Sequence, residues 1–357
     1  MSEAASAKPH ECLSGLALGG GWVASKRLER GPDATGGQFS CGYVVEHPDG
    51  RRGYLKALDF FSRLPSSPDP ARDLEPLIAA FNFERDLLDK CRSSRLSRIV
   101  SALDSGAVTV PGFPAPATVQ YIVFELADGD VRRMIAASED VDVVLVLRTL
   151  HQIAAGLQQL HGIGVAHQDL KPSNILLFDE IRVAKLGDLG RAASRGAEPP
   201  HYGASPAGDF GYAPPEALYG GPVGTWESRR LGCDAYHLGS MICSLVTSVG
   251  MTPLMMMGLD TSLRWQNWRG TFSEALVFLR PAFADAVDYV SAEIPSSVRD
   301  ELTTDLAQLC EPEPTRRGHP KEMRAGGNSF SLERYVARFD FLAKRAASAF
   351  VRRLASD

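Results

Sequence analysis

The sequence has no long unbroken apolar run. Its longest apolar tract, Leu238 to Leu259, is interrupted by Gly239, Gly250, Pro253 and Gly258. That argues against a membrane span and reads as a buried helix followed by a turn. The first residues, MSEAASAKPHE, lack the apolar core of a secretory signal, so none is expected. Cysteine is scarce: the six, at positions 12, 41, 91, 233, 243 and 310, show no CxxC or other metal-ligand spacing. They read as reduced thiols, and a cytoplasmic location is expected. Positive charge is not in excess either. Lys and Arg number 38 against 43 Asp and Glu, a formal net charge of −5, which argues against a nucleic-acid-coating surface. The short basic clusters Arg51–Arg52, Arg316–Arg317 and Arg352–Arg353 read as solvated faces. Internal repeats and long low-complexity segments are also missing.

What is present is an ordinary globular composition, 44% hydrophobic and 23% charged over 357 residues, enough for two cores. Abundant Ala, Arg, Gly and Pro hint at a GC-rich bacterial genome. From Gly21 to Asp59, short β-rich runs alternate with turn signals: WVASKRL, then GPDATGG, FSCGYVVEH, PDGRRG and YLKALDF. This predicts a small antiparallel sheet with hairpin connections. SRLPSSPDPARD (62–73) reads as a polar connection, and LIAAFNFERDLLDKCRS as a helix with Ile78, Phe81 and Leu88 on its apolar face. IVSALDSGAV and ATVQYIVFEL restore strand character, and after ADGD (127–130) long helical patterns dominate. The expected fold class is therefore α+β with two lobes. Its parts are a flexible N-terminus (1–20), a β-rich lobe with one helix (21–125), a hinge (126–130), a helical lobe (131–327) and a C-terminal helix (328–357). That last helix places Leu332, Val336, Phe339, Leu342, Ala346 and Phe350 on one face, and docking on the helical lobe is preferred to a membrane surface.

The most informative stretch is VAHQDLKPSNILLF, Val165 to Phe178. It sets an acid, a lysine and an amide, Asp169, Lys171 and Asn174, between two apolar flanks that anchor the loop, with Pro172 stiffening its middle. Held polar groups converging from one loop point to a site. With DLG at 188–190 and PPE at 214–216, the order H-x-D-L-K-P-x-N, D-x-G, P-E resembles the eukaryotic-type protein kinases, chiefly the serine/threonine branch. The resemblance covers about residues 20 to 320 and implies a bilobal kinase fold that uses ATP and Mg²⁺, with Mn²⁺ as a substitute.

The resemblance implies these roles. Asp169 positions the acceptor hydroxyl or accepts its proton, and Lys171 offsets charge on the transferring phosphoryl group. Asn174 and Asp188 supply hard oxygen ligands to the metal. Lys56 in RGYLKALDF holds phosphates and pairs with Glu84, with Glu75 as the competing partner. TGGQFSCG (35–42) meets the pattern G-x-G-x-F-G-x-V only at Gly37 and Phe39. Glu125 and Ala127 lie in the hinge facing adenine, Leu176 lies beneath the ring, and Asp130 is equally a ribose contact or a helix N-cap. Glu216 is expected to pair with Arg317, and Asp234 to brace the catalytic loop.

Four positions depart from the pattern. Gln168 stands for the arginine before the acid, Tyr54 for the alanine that roofs adenine, Leu189 for phenylalanine, and Asp209 for threonine. Gln168 predicts activity independent of phosphates at Ser194, Tyr202 or Ser205. The expected partners are ATP and a protein substrate, with no nucleic acid and no membrane span. A pseudokinase scaffold and a small-molecule kinase are the alternatives.

Overall fold

The computed structural model describes residues 8–29, 40–60, 69–113, 117–138, 140–197, 200, 206, 208–222 and 224–354. The chain forms two compact units: Met1–Arg95 with Val100–Asp128, and Leu96–Ile99 with Gly129–Asp357.

In the first unit, strands β1 (Val23–Arg27), β2 (Ser40–Glu46), β3 (Arg52–Leu58), β4 (Ala102–Val110) and β5 (Ala117–Glu125) form an antiparallel sheet of order β1-β2-β3-β5-β4. Alternation sorts its two faces, because successive strand side chains point to opposite sides. Cys41, Tyr43 and Val45, Leu55 and Ala57, and Val119, Tyr121 and Val123 share one buried face. Residues 8–20, expected to be flexible, instead help to cover that face. Leu13 is fully buried, and its backbone N–H donates to the Tyr43 hydroxyl, which donates to the His10 carbonyl. Further along, the Gly19 N–H donates to the Tyr121 hydroxyl at 2.8 Å. The opposite face carries Gly42, Tyr54 and Lys56, in the alternate positions of β2 and β3.

Helix α1 (Pro70–Ser93) starts inside the stretch read as a connection, with Asp69 capping it by accepting the Arg72 N–H and Pro70 at its first position. Ile78 is 44% exposed and does not join the apolar face; burial begins at Phe81 and continues through Leu87, Leu88 and Cys91. Among the described residues the helix's first turns bury no side chain, so apolar periodicity there does not mark a buried face.

The second unit is mostly helical. It comprises α2 (Val131–Ala137), α3 (Val143–Gly162), α4 (Pro215–Leu218), α5 (Gly232–Thr247), α6 (Met251–Met257), α7 (Phe272–Glu293), α8 (Arg299–Leu309), α9 (Pro320–Ala325) and α10 (Glu333–Leu354). Two small sheets carry its loops: β6 (Gly129–Asp130) with β8 (Ile175–Phe178) and β9 (Val183–Leu186), and β7 (Val165–Ala166) with β10 (Ala193–Ser194). The apolar tract after Cys233 becomes buried α5 and then α6, broken at 248–250 where Ser248 takes a left-handed φ of 64°. Among the described residues no single helix is long and apolar enough to cross a membrane.

Helix α10 packs along α3, burying Tyr335, Phe339 and Leu342. Each such side chain contributes about 1.5–3 kcal/mol. Phe350 does not join them; it is 60% exposed near the helix end, while Tyr335 and Ala343 take buried places that the sequence pattern had not assigned. The joint with α8 includes ion pairs. Arg345 pairs with Glu301, and Arg338 lies 3.4 Å from the carboxylate of Asp305, whose pKa burial pushes up to about 7 against that arginine.

Candidate active site

The loop between β7 and β8 is fixed from below by one buried carboxylate at the start of α5. Asp234 accepts the backbone N–H of His167 at 2.8 Å on Oδ2 and that of Gln168 at 2.9 Å on Oδ1, while His161 Nε2 lies 2.9 Å from Oδ2. Burial alone would raise its pKa, but the His161 bond and the neighbouring histidines outweigh it and hold the carboxyl below its ordinary range. The His167 ring is fixed at both nitrogens: Nε2 lies 3.0 Å from the Gly187 carbonyl, so it donates, and Nδ1 accepts the Asp169 N–H. Gln168 sits at a left-handed φ of 66°. Its amide donates to the Arg230 carbonyl and accepts from the Arg230 guanidinium, so this buried side chain is turned into the unit.

On this platform the acid, lysine and amide meet. Asp169 and Lys171 are each 7% exposed, with Lys171 Nζ 3.2 Å from Asp169 Oδ2. Asn174 Nδ2 donates to the Asp169 carbonyl at 2.7 Å and reaches its Oδ2 at 3.2 Å. Burial pushes the Asp169 carboxyl above its usual range, with the nearby Asp188 charge adding to that and Lys171 opposing it. For Lys171 burial works downward, but the Asp169 and Asp209 carboxylates outweigh it and keep the amine firmly protonated.

Asp188 follows β9 in a left-handed conformation (φ 56°) and is exposed, whereas Leu189 beside it is buried. The N–H of Gly187 donates to the Asn174 carbonyl at 2.8 Å, tying the two segments together. Asn174 commits its amide nitrogen to Asp169, which leaves the oxygen as its donor atom toward a cation. An amide oxygen and a carboxylate are the hard donors that Mg²⁺ takes, so the residues fit that ion.

In the first unit Lys56 Nζ lies 2.9 and 3.0 Å from the two carboxylate oxygens of Glu84, which is 5% exposed. Glu75, the competitor, is exposed on the first turns of α1. Tyr54 shares the Lys56 face and lies against Gly42: a Cβ at Gly42 would come within 2.8 Å of the Tyr54 ring. Gly42 stands where the glycine-loop pattern has valine, and Tyr54 where the strand has alanine, so a small and a large residue have exchanged places. Gly37 and Phe39 lie outside the described residues. The Glu125 carboxylate accepts the Ser101 N–H at 2.8 Å, and Ala127 is half-buried just beyond β5.

In the second unit, Asp130 caps α2 by accepting the Arg133 N–H, and β6 sets it opposite half-buried Leu176 of β8. In the first unit, a group formed by His10, Glu11 and Cys41 also has metal-ligand chemistry, but the Glu11 carboxylate already holds Arg27 and the Lys8 N–H.

The family model for the protein kinase domain matches residues 71–325, more than half of the chain. The chain belongs to the protein kinase domain family. Similar curated proteins include Cyclin-dependent kinase B2-2 of Arabidopsis thaliana, 31% identical over 134 residues, 36% of this chain and 41% of that protein. Cyclin-dependent kinase B2-1 of Oryza sativa subsp. japonica is 36% identical over 81 residues, 22% of this chain and 25% of that protein. Mitogen-activated protein kinase HOG1 of Hortaea werneckii is 28% identical over 141 residues, 40% of this chain and 36% of that protein. The chain thus spans about a quarter to two-fifths of the length of these relatives.

The matched region of the kinase domain begins after β3, so Lys56 and Tyr54 fall outside it and stand on their own geometry. Within it, Glu216 and Arg317 form a bidentate pair at 2.7 and 2.8 Å, with Arg317 fully buried and also bonded to the Gly232 and Glu311 carbonyls. Ser194 is buried in β10 opposite Val165, so it is no open phosphate acceptor; Tyr202 and Ser205 lie outside the described residues.

Two further participants, Arg230 and Gly208, were hidden in the sequence. Gln168 and Arg230 lock together across 62 positions, and Gly208 passes so close to the loop that a Cβ there would lie 2.6 Å from Asp169 Oδ1. A glycine next to an unexpected acid was the available signal for the second.

Proposed function

We propose that this kinase domain is an ATP- and Mg²⁺-dependent protein serine/threonine kinase. The observation that carries the reading is the buried group of Asp169, Lys171 and Asn174 on a loop braced by Asp234. In the reaction the acceptor hydroxyl oxygen bonds to the γ-phosphorus, the bond to the ADP oxygen breaks, and the hydroxyl proton passes to Asp169. A carboxyl pushed above its usual range is a stronger base than an exposed one. Lys171, kept protonated, is assigned to offset charge on the transferring group. Lys56, held by Glu84, is assigned to the nucleotide phosphates, and Tyr54, Glu125, Ala127, Asp130 and Leu176 to the nucleoside. Asn174 and Asp188 would hold Mg²⁺, or Mn²⁺ in its place, which supplies charge neutralisation on the phosphates when bound. A cytoplasmic location goes with this reading.

The test is transfer of label from γ-labelled ATP with Mg²⁺ to the protein itself or a generic protein acceptor. The expected product is phosphoserine or phosphothreonine. Nucleotide binding without any transfer would favour a scaffold, and transfer only to an aminoglycoside or choline would favour a small-molecule kinase.

A further inference from the structure

The acceptor end of the site carries one more negative charge than the acid and lysine alone would give it. Asp209 Oδ2 lies 3.4 Å from Lys171 Nζ, its Oδ1 accepts the Gly211 N–H, and its own N–H donates to Asp169 Oδ1 at 2.8 Å. Two carboxylates, Asp169 and Asp209, therefore share one ammonium, and one negative charge is left over. Of the three side chains Asp209 is the most accessible, at 30% against 9% for each of the others. Next in sequence, Phe210 is 49% exposed and stacks on Trp265, with ring centroids 5.1 Å apart and planes 14° apart. An acceptor whose hydroxyl reaches Asp169 must bring its neighbouring residues past Asp209, because the Asp209 backbone is bonded to that same carboxylate.

A planar cation satisfies both features: guanidinium bonds a carboxylate and lies flat on an aromatic face, which a lysine ammonium does less well. We propose that Asp209 and the Phe210–Trp265 stack select protein acceptors with an arginine close in sequence to the acceptor serine or threonine. This inference rests on the protein kinase reading and names the substrate class for that site. Asp209 is here a specificity-determining residue that also steadies Lys171.

The experiment compares four peptides, identical except for Arg, Lys, Leu or Glu beside the serine, with the full chain, Mg²⁺ and ATP. Wild type should use the Arg peptide over the Leu peptide about tenfold in kcat/KM, the size of one partly exposed charge contact joined to a cation–π contact. Lys should fall between them and Glu last. Asp209→Asn should bring the Arg-to-Leu ratio toward one whatever its absolute rate, and Phe210→Ala should narrow Arg against Lys. Raising ionic strength should compress the wild-type Arg-to-Leu ratio, a readout that needs no variant. Equal use of the Arg and Leu peptides by an active wild type, or a ratio unchanged in Asp209→Asn, overturns this inference alone. Failure of wild type to phosphorylate any peptide or protein overturns the kinase reading and takes this inference with it.

Discussion

The loop carrying Asp169 and the strand carrying Lys56 hold their charged groups by opposite means. Around the loop, wholly buried Asp234 takes two backbone N–H groups and pairs with His161, while His167 and Gln168 spend their own side chains on fixed partners. On the strand, Lys56 is held by the carboxylate of Glu84, and the neighbouring surface is shaped by the fit of Tyr54 against Gly42. Buried polar networks permit little exchange, since each unmatched group costs about 1–3 kcal/mol. Packing tolerates exchange when volume is kept. The loop departs from its pattern at Gln168, whose side chain is itself fixed to Arg230, whereas the strand carries a large residue in place of a small one, matched by a small residue across the hairpin.

Asp234→Asn attacks the first arrangement and should have the largest effect. It removes a buried charge that holds several donors, at a cost of about 3–5 kcal/mol, read as a large fall in melting temperature together with loss of transfer. The pH dependence has a definite sign. The Asp234 pKa is depressed in the folded protein, so its stabilisation is present above the unfolded carboxylate value, about pH 4, and is lost as pH falls through the folded value. Acid melting curves of the variant should be flatter than those of wild type in that range. A variant with unaltered stability and rate would break the comparison.

Gly42→Val attacks the second arrangement. Its side chain would collide with Tyr54, costing about 1–3 kcal/mol. Adding Tyr54→Ala should recover at least about 1 kcal/mol relative to the sum of the single changes, because the two residues touch. Tyr54→Ala alone should also admit bulky adenine-competitive inhibitors that wild type refuses. Additive stabilities and equal inhibitor binding would show that the two residues do not shape the pocket. The smallest effect is expected at Ser194→Ala, where the hydroxyl is buried and Gln168 offers no charge to a phosphate. The transfer rate should stay within a few-fold, and a collapse would contradict activity that is independent of a phosphate at Ser194.

The sequence made the loop legible because its chemistry is local. Asp169, Lys171 and Asn174 lie within six positions, and alternation in β2, β3 and β5 is visible strand by strand. What stayed hidden depends on distant partners. Leu13 and Gly19 look like parts of a loose terminus until they meet the hydroxyls of Tyr43 and Tyr121. Gly42 and Tyr54 lie on different strands, so their complementarity appears only with the register in place. Asp209 is 40 positions from Asp169, and as a bare residue it read only as a departure from a pattern. Ile78 and Phe350 show the reverse failure, since helical periodicity marks a face but not where along the helix a neighbour covers it.

The central claim is that the loop performs transfer while the Lys56 strand holds nucleotide. The most direct measurement sets Asp169→Ala beside Lys56→Met, recording nucleotide affinity and single-turnover phosphoryl transfer on the same preparations. The account predicts that Asp169→Ala loses transfer by about 10²–10⁴-fold while binding nucleotide within a few-fold of wild type. Lys56→Met should weaken nucleotide binding by about tenfold or more. An Asp169→Ala protein that still transfers phosphate, or that loses nucleotide affinity as Lys56→Met does, would contradict it.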